Sequence, residues 1–162
     1  MGYYDVAQIC SNGHVINAGS KRYPEHNLPF CERCGAPTIT TCPHCSEPIR
    51  GEYHVEGVFA AGFIFPAPGF CAKCGHAYPW TTARVEAARA LADDLDSLSG
   101  DDREALKRSL DDLVRDTPQT QVAAQRFKRV AAKAGKQAAD ALRTILIDVV
   151  SEAAKKALWP GA

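Results

Sequence analysis

All seven cysteines lie between residues 10 and 74, and six form Cys-x-x-Cys pairs: Cys31/Cys34, Cys42/Cys45 and Cys71/Cys74. The seventh, Cys10, has His14 four residues on, in Cys10-Ser-Asn-Gly-His14. Zinc binds thiolate and imidazole four at a time in a tetrahedron, so these four two-ligand turns fill two closed sites. Counting His14 also explains an odd cysteine number that a disulfide framework would leave unpaired. Buried or disulfide-bonded cysteines are the plainer alternative, and a two-residue gap used three times argues against it. The expected cofactor is Zn(2+), two per chain.

Pairing in chain order puts Cys10, His14, Cys31 and Cys34 in one site and Cys42, Cys45, Cys71 and Cys74 in the other. Each site is then a zinc ribbon, two ligand turns held face to face by short strands. A cross-brace would couple the first turn with the third and the second with the fourth. The seven-residue gap from Cys34 to Cys42 is long for a RING-type centre, which favours chain order but leaves the cross-brace open. Gly35 and Gly75 follow Cys34 and Cys74, where a left-handed residue turns backbone amides toward sulfur. Asn12-Gly13 is a tight-turn dipeptide.

Catalytic zinc keeps a position for water, and four protein ligands per site leave none. His26, His44, His54 and His76 have no serine, cysteine or carboxylate arrangement beside them that suggests a catalytic set. His44 and His76, inside or beside ligand turns, are candidates for substitute ligands or for hydrogen bonds around them. No enzyme is expected.

The elements that must hold these turns follow from composition. Eight of the ten prolines, nine of the twelve glycines and every cysteine precede Trp80. Beyond it the chain is rich in Ala, Leu, Arg, Lys and Asp. The expected class is α+β: a double zinc-ribbon domain of short antiparallel strands over 1–80, then a helical assembly region over 81–162. Strands are expected at Tyr3 to Ile9, Val15 to Asn17 and Glu52 to Val55, with a loop over 18–30. The apolar run Val58-Phe-Ala-Ala-Gly-Phe-Ile-Phe65 reads as a buried strand or hairpin packed on the helices. A docking surface for a protein partner is its functional alternative.

Three helices are expected. The first runs about Thr82 to Ser97. The second runs about Asp101 to Arg115 after the cap sequence Ser99-Gly-Asp-Asp. The third runs from Thr117-Pro118 toward Leu158. Unbroken, the third is roughly 60 Å long, with Gly135 as a bend. Its apolar residues Leu142, Ile145, Leu146, Val149, Val150 and Leu158 make a face wider than two short helices cover. That predicts a homo-oligomer, a dimer built on residues 138–158. A membrane-surface helix is a weaker alternative, because the polar face mixes charges.

The 162 residues carry a formal net charge of zero. Nine acids lie between Asp93 and Asp116, and six bases between Arg126 and Arg143. That pattern reads as acidic helices beside a basic one. A nucleic-acid stripe is the second reading, although the ribbons are near neutral and lack a basic footprint. No signal peptide or membrane-spanning run is visible, and reduced thiolates imply a reducing compartment, so the expected location is the cytoplasm.

With these residues in view, the chain resembles a family of uncharacterised bacterial proteins, double zinc ribbons with a helical tail. The resemblance rests on the opening Met-Gly-x-Tyr-Asp-x-Ala-Gln-Ile-Cys-x-Asn-Gly-His and on the Cys31-Glu-Arg-Cys34-Gly and Cys42-Pro-His-Cys45 turns. It rests also on Phe70-Cys-x-x-Cys-Gly-x-x-Tyr-Pro-Trp-Thr81 and on the helical segment. It implies two zinc ions and a bacterial cytosolic origin, and no activity. The functional expectation is a zinc-binding, non-enzymatic adaptor or scaffold that acts through protein–protein interaction and self-association. A nucleic-acid-binding ribbon protein, in transcription or phage defence, is the alternative, with a RING-like transfer module behind it.

Overall fold

The computed structural model describes residues 1–162, which divide into two compact units, Met1–Thr81 and Thr82–Ala162. The first holds five short strands: β1 (Tyr3–Val6), β2 (Gln8–Cys10), β3 (Val15–Asn17), β4 (Thr38–Ile39) and β5 (Arg50–His54). One 3-10 turn, Pro24–His26, sits in the loop after β3. Strands β3, β2 and β4 form one antiparallel sheet in that order, and β1 pairs with β5 in a second. The stretch expected as one strand, Tyr3 to Ile9, is therefore two. Ala7 divides them, donating its amide to the Ile49 carbonyl at 2.9 Å, so β1 and β2 take different partners. Gly51 lets this crossing close up, because a Cβ there would meet the Ala18 carbonyl oxygen and the Ala7 nitrogen.

The core of this unit is small. Ile9 and Ile49 pack with Tyr78, Trp80 and the ligand cysteines Cys42 and Cys71. Tyr78 and Trp80 stack at 4.7 Å, and the Trp80 indole donates to the Pro68 carbonyl at 2.8 Å. The loop after β5 differs from its expected burial. Val58, Phe59, Phe63 and Ile64 are 64%, 94%, 65% and 87% exposed. Gly57 and Gly62, both at positive φ, make tight turns there, and no backbone–backbone hydrogen bond pairs residues 59–65. Within its own unit this apolar finger is left exposed.

The second unit is helical: α1 (Pro79–Asp93, its first residues counted with the first unit), α2 (Gly100–Leu113), α3 (Gln119–Ala134), α4 (Lys136–Leu146) and α5 (Glu152–Leu158). Ser99 caps α2, accepting from the Asp102 amide at 3.1 Å. Thr117 sets up α3, its hydroxyl accepting from the Gln119 amide. Arg84 reaches the last carbonyls of α4, donating to Ile145 at 3.1 Å, and so satisfies groups that a helix end leaves open.

The long third helix is corrected by these boundaries. Gly135 stands at φ 95°, ψ 165°, a conformation essentially reserved for glycine, and ends α3 outright. A second break follows α4, where the Ser151 hydroxyl caps α5 by accepting from the Ala154 amide at 3.2 Å. The Ser151 amide itself donates to the Leu113 carbonyl at 2.9 Å. Two breaks fold the sequence back on itself, so α5 packs on α3. Leu142, Leu146, Val150, Ala154 and Leu158 are all buried. Of the face that suggested a second copy, Leu142, Leu146, Val150 and Leu158 are thus covered within one chain, while Ile145 and Val149 stay half-buried. No helix is long and apolar enough to cross a membrane.

Candidate metal centres

Each ligand turn is built by short local bonds. In the first, Cys10 closes β2, and the Cys10 amide donates to the His14 carbonyl at 3.0 Å. Gly13 takes φ 88° between them, and a Cβ there would press on the Trp80 side chain. The three Cys-x-x-Cys turns repeat one design. The first cysteine of each donates its amide to a carbonyl five residues on: Ala36, Glu47 and His76. Flanking bridges pair Phe30 with Pro37, Thr41 with Pro48 and Phe70 with Ala77. The residue after the second cysteine is left-handed each time, Gly35 at φ 70°, Gly75 at φ 74° and Ser46 at φ 60°.

These turns bring Cys10, His14, Cys31 and Cys34 together, and Cys42, Cys45, Cys71 and Cys74 together, each set with its ligand atoms within 4.8 Å of one another. The grouping is in chain order, and a cross-brace is incompatible with it. Cys10 and Cys31 Sγ each lie 3.5 Å from His14 Nδ1, and Cys10 and Cys34 Sγ lie 3.8 Å apart. In the second set Cys42–Cys74 is 3.8 Å and Cys45–Cys71 is 3.7 Å. A disulfide requires about 2.05 Å, so none of these contacts is one, and all seven cysteines are free.

The same distances test the metal. Bonds of about 2.3 Å to sulfur and about 2.0–2.1 Å to nitrogen, at tetrahedral angles, give S···S edges of about 3.8 Å and S···N edges of about 3.6 Å. The observed edges match both values. The two clusters therefore fit two four-coordinate metal ions, and His14 enters through Nδ1.

The surroundings split the thiols, lowering Cys34 and Cys71 and raising Cys10, Cys45 and Cys74. The Asn12 side-chain amide, donating at 3.4 Å, and the Ala36 amide hold the Cys34 thiol down, to about 6. The Cys74 and Lys73 amides hold Cys71 down, to about 6. At Cys45 the Glu47 amide also lowers the value, but desolvation and the neighbouring Cys74, Cys71 and Cys42 outweigh it and push the thiol up to about 12. One thiol per cluster is thus shifted toward thiolate, while desolvation and neighbouring sulfurs push Cys10, Cys45 and Cys74 up. Desolvation likewise raises Tyr78, with Cys71 next in effect, which keeps a neutral phenol against the second cluster. His44 and His76 join neither set. Their rings stack on each other at 4.1 Å and 14°.

Sequence reasoning missed Ser46, although aligning the three turns would have marked it. For the finger it favoured burial and kept an exposed docking surface as the alternative; the four large side chains are exposed, and an uncharged run with two glycines was the available signal. No curated protein and no solved structure matches the chain. A family model does match, over residues 3–158, and its reach covers both metal clusters and all five helices. The chain belongs to that family, described as an uncharacterized protein conserved in bacteria (DUF2321).

Proposed function

We infer that this chain is a zinc-dependent, non-enzymatic adaptor of the bacterial cytoplasm, in which two structural ions hold a platform that presents an apolar finger to a partner protein. The observation that carries the reading is the finger itself. Four large apolar side chains at 64–94% exposure on one loop forfeit about 1.5–3 kcal/mol each while they stay in water. Such a patch marks an interaction surface.

Zinc is the ion of choice because a three-thiolate, one-imidazole set and a four-thiolate set are both structural zinc compositions. Four protein ligands per ion leave no site for a reacting water, which is why no chemistry is assigned. Free thiols throughout suit a reducing compartment. The basic run on the helices supports a nucleic-acid role less well. Lys133 pairs with Asp102 at 2.9 Å, Lys136 with Asp140 at 2.7 Å, and Arg143 lies over the Trp159 ring. Self-association is left out of the reading, since four of the six residues that suggested it are buried within one chain.

The test is photo-crosslinking in cells with benzoylphenylalanine at position 59. A discrete set of protein adducts, lost when Phe63 and Ile64 are both changed to Asp, is expected. Adducts to nucleic acid alone, or none, overturn the reading.

A further inference from the structure

We propose that the pocket at the base of the finger is the specificity site of this docking surface: it takes one large apolar side chain of a partner's peptide segment, while Arg50 pairs with a carboxylate beside that side chain. The proposal rests on the adaptor reading and gives its partner a chemistry.

The pocket is a cavity of about 440 Å³ in the first unit, with Phe65, Pro66, Pro68 and Phe70 among its walls and Tyr78 and Cys71 within. That volume lies in the range of pockets that take specific small groups. The wall at Pro68 and Gly69 is tied down within the unit. The Tyr78 amide donates to the Gly69 carbonyl at 3.0 Å, and the Thr81 hydroxyl donates to the same carbonyl at 2.9 Å. The Trp80 indole holds Pro68. A wall held in this way loses little freedom on binding.

The charges at the mouth are uneven. Lys73 and Glu47 satisfy each other at 2.8 Å. Arg50 is different: its guanidinium lies over the Tyr4 ring, 4.6 Å from the centroid, and no carboxylate comes within ion-pair distance. Tyr4 therefore orients an exposed planar cation beside an apolar cavity. A guanidinium so held accepts a carboxylate through two parallel hydrogen bonds. Phe65 makes the surface continuous, lining the pocket and directly following Phe63 and Ile64 of the finger. A bound segment lies on the finger and drops one side chain behind it.

Two other occupants fit less well. A second copy would offer its own finger, but that run is uncharged from Gly57 to Ala72 and leaves Arg50 uncompensated. A lipid surface would meet Glu52 and Glu56 at the finger's root, and the unpaired backbone of 59–65 is costly to place in hydrocarbon.

The experiment is selection of a phage-displayed random dodecapeptide library on the full-length, metal-loaded protein, followed by affinity measurement with synthetic peptides. Enriched sequences should carry a large apolar residue within three positions of Asp or Glu. Their binding should fall about tenfold or more in Arg50→Glu, the loss of one charge-assisted pair, and survive in Arg50→Lys. Selection on Arg50→Glu should switch the acidic residue to Lys or Arg. Metal content and circular dichroism of both variants confirm their folding. Peptides that need Phe63 and Ile64 but ignore Arg50 overturn the pocket assignment and leave the adaptor reading intact. No enrichment overturns the proposal, and the crosslinking at position 59 then decides the adaptor reading separately. Sedimentation of the protein with phosphatidylcholine–phosphatidylglycerol vesicles, or a dimer dispersed by Arg50→Glu, overturns it in favour of a lipid surface or a second copy.

Discussion

Removing the metals should unfold the first unit and spare the second. Among the side chains that are not ligands, Ile9, Ile49, Tyr78 and Trp80 are the large ones the first unit buries almost completely. At about 1.5–3 kcal/mol each they contribute roughly 6–12 kcal/mol of transfer free energy. Two structural ions at roughly 10–16 kcal/mol apiece contribute about 20–32 kcal/mol. Net stabilities of domains are only about 5–15 kcal/mol, so loss of the ions exceeds any margin the core provides. The helical unit has its own core, which includes Leu106, Leu110, Leu113, Phe127, Val130, Leu142 and Leu146, and needs no ion. A strong chelator under reducing conditions supplies the perturbation. Hydrogen exchange read peptide by peptide supplies the assay, with Trp80 fluorescence in a Trp159→Phe background as a second probe. Protection should vanish across residues 1–81 and persist in α2 and α3. Unchanged protection of β2 and β5 after both metals have left would refute the reasoning, as would fresh reduced protein carrying fewer than two ions.

The clusters should also separate by mutation. His14→Ala should cost one metal, and Cys42→Ser should cost the other while leaving the Cys10 site loaded, as counted by elemental analysis; loss of both ions from either variant contradicts the grouping. Ser46→Gly should stabilise the second cluster by roughly 0.5–1 kcal/mol, relief of a left-handed serine less the added chain entropy, and an unchanged denaturation midpoint would count against that φ. Metal retention should depend on pH with a definite sign. Cys34 and Cys71 are depressed from the ordinary thiol value of 9.0 to about 6, so the thiolate form is secured above that value and lost as pH falls through it. Release into a colorimetric chelator should increase as pH falls, because protons compete with the metal for its ligands, and retention that is flat down to about pH 4.5 would disagree. Gly135→Ala should destabilise the helical unit by about 1–3 kcal/mol, because φ 95°, ψ 165° is a strained conformation for alanine; a variant with an unchanged or higher melting temperature would show that the break is not needed.

The metal clusters were legible in the sequence because ligand chemistry is local. A two-residue gap fixes the distance between two sulfurs, and glycine after the second cysteine fixes the turn. At the Cys42/Cys45 turn Ser46 stands where the other two Cys-x-x-Cys turns have glycine, so its left-handed position was not read from the sequence. The strands were less legible. Ala7 carries no breaker signal, and it interrupts β1 and β2 because the Ile49 carbonyl, far along the chain, captures its amide. Such a partner is invisible to local reading.

The helical half shows how one misplaced boundary carries into biology. Read as one helix, residues 118–158 left a broad apolar stripe in water, and a second copy was the natural cover. Gly135 is a break and not a bend, and Ser151 is a cap; with both in place most of the stripe is buried by the chain's own folding, and Ile145 and Val149 are left half-buried. Most of the large exposed apolar side chains lie in the first unit, four of them on one loop, whereas α3 exposes Val122 alone among the large ones of the second unit. The surplus apolar surface thus belongs to the ribbons. Interaction surfaces follow surplus area, so the proposed partner is to be sought at the finger and at Arg50, in the unit that carries both ligand clusters.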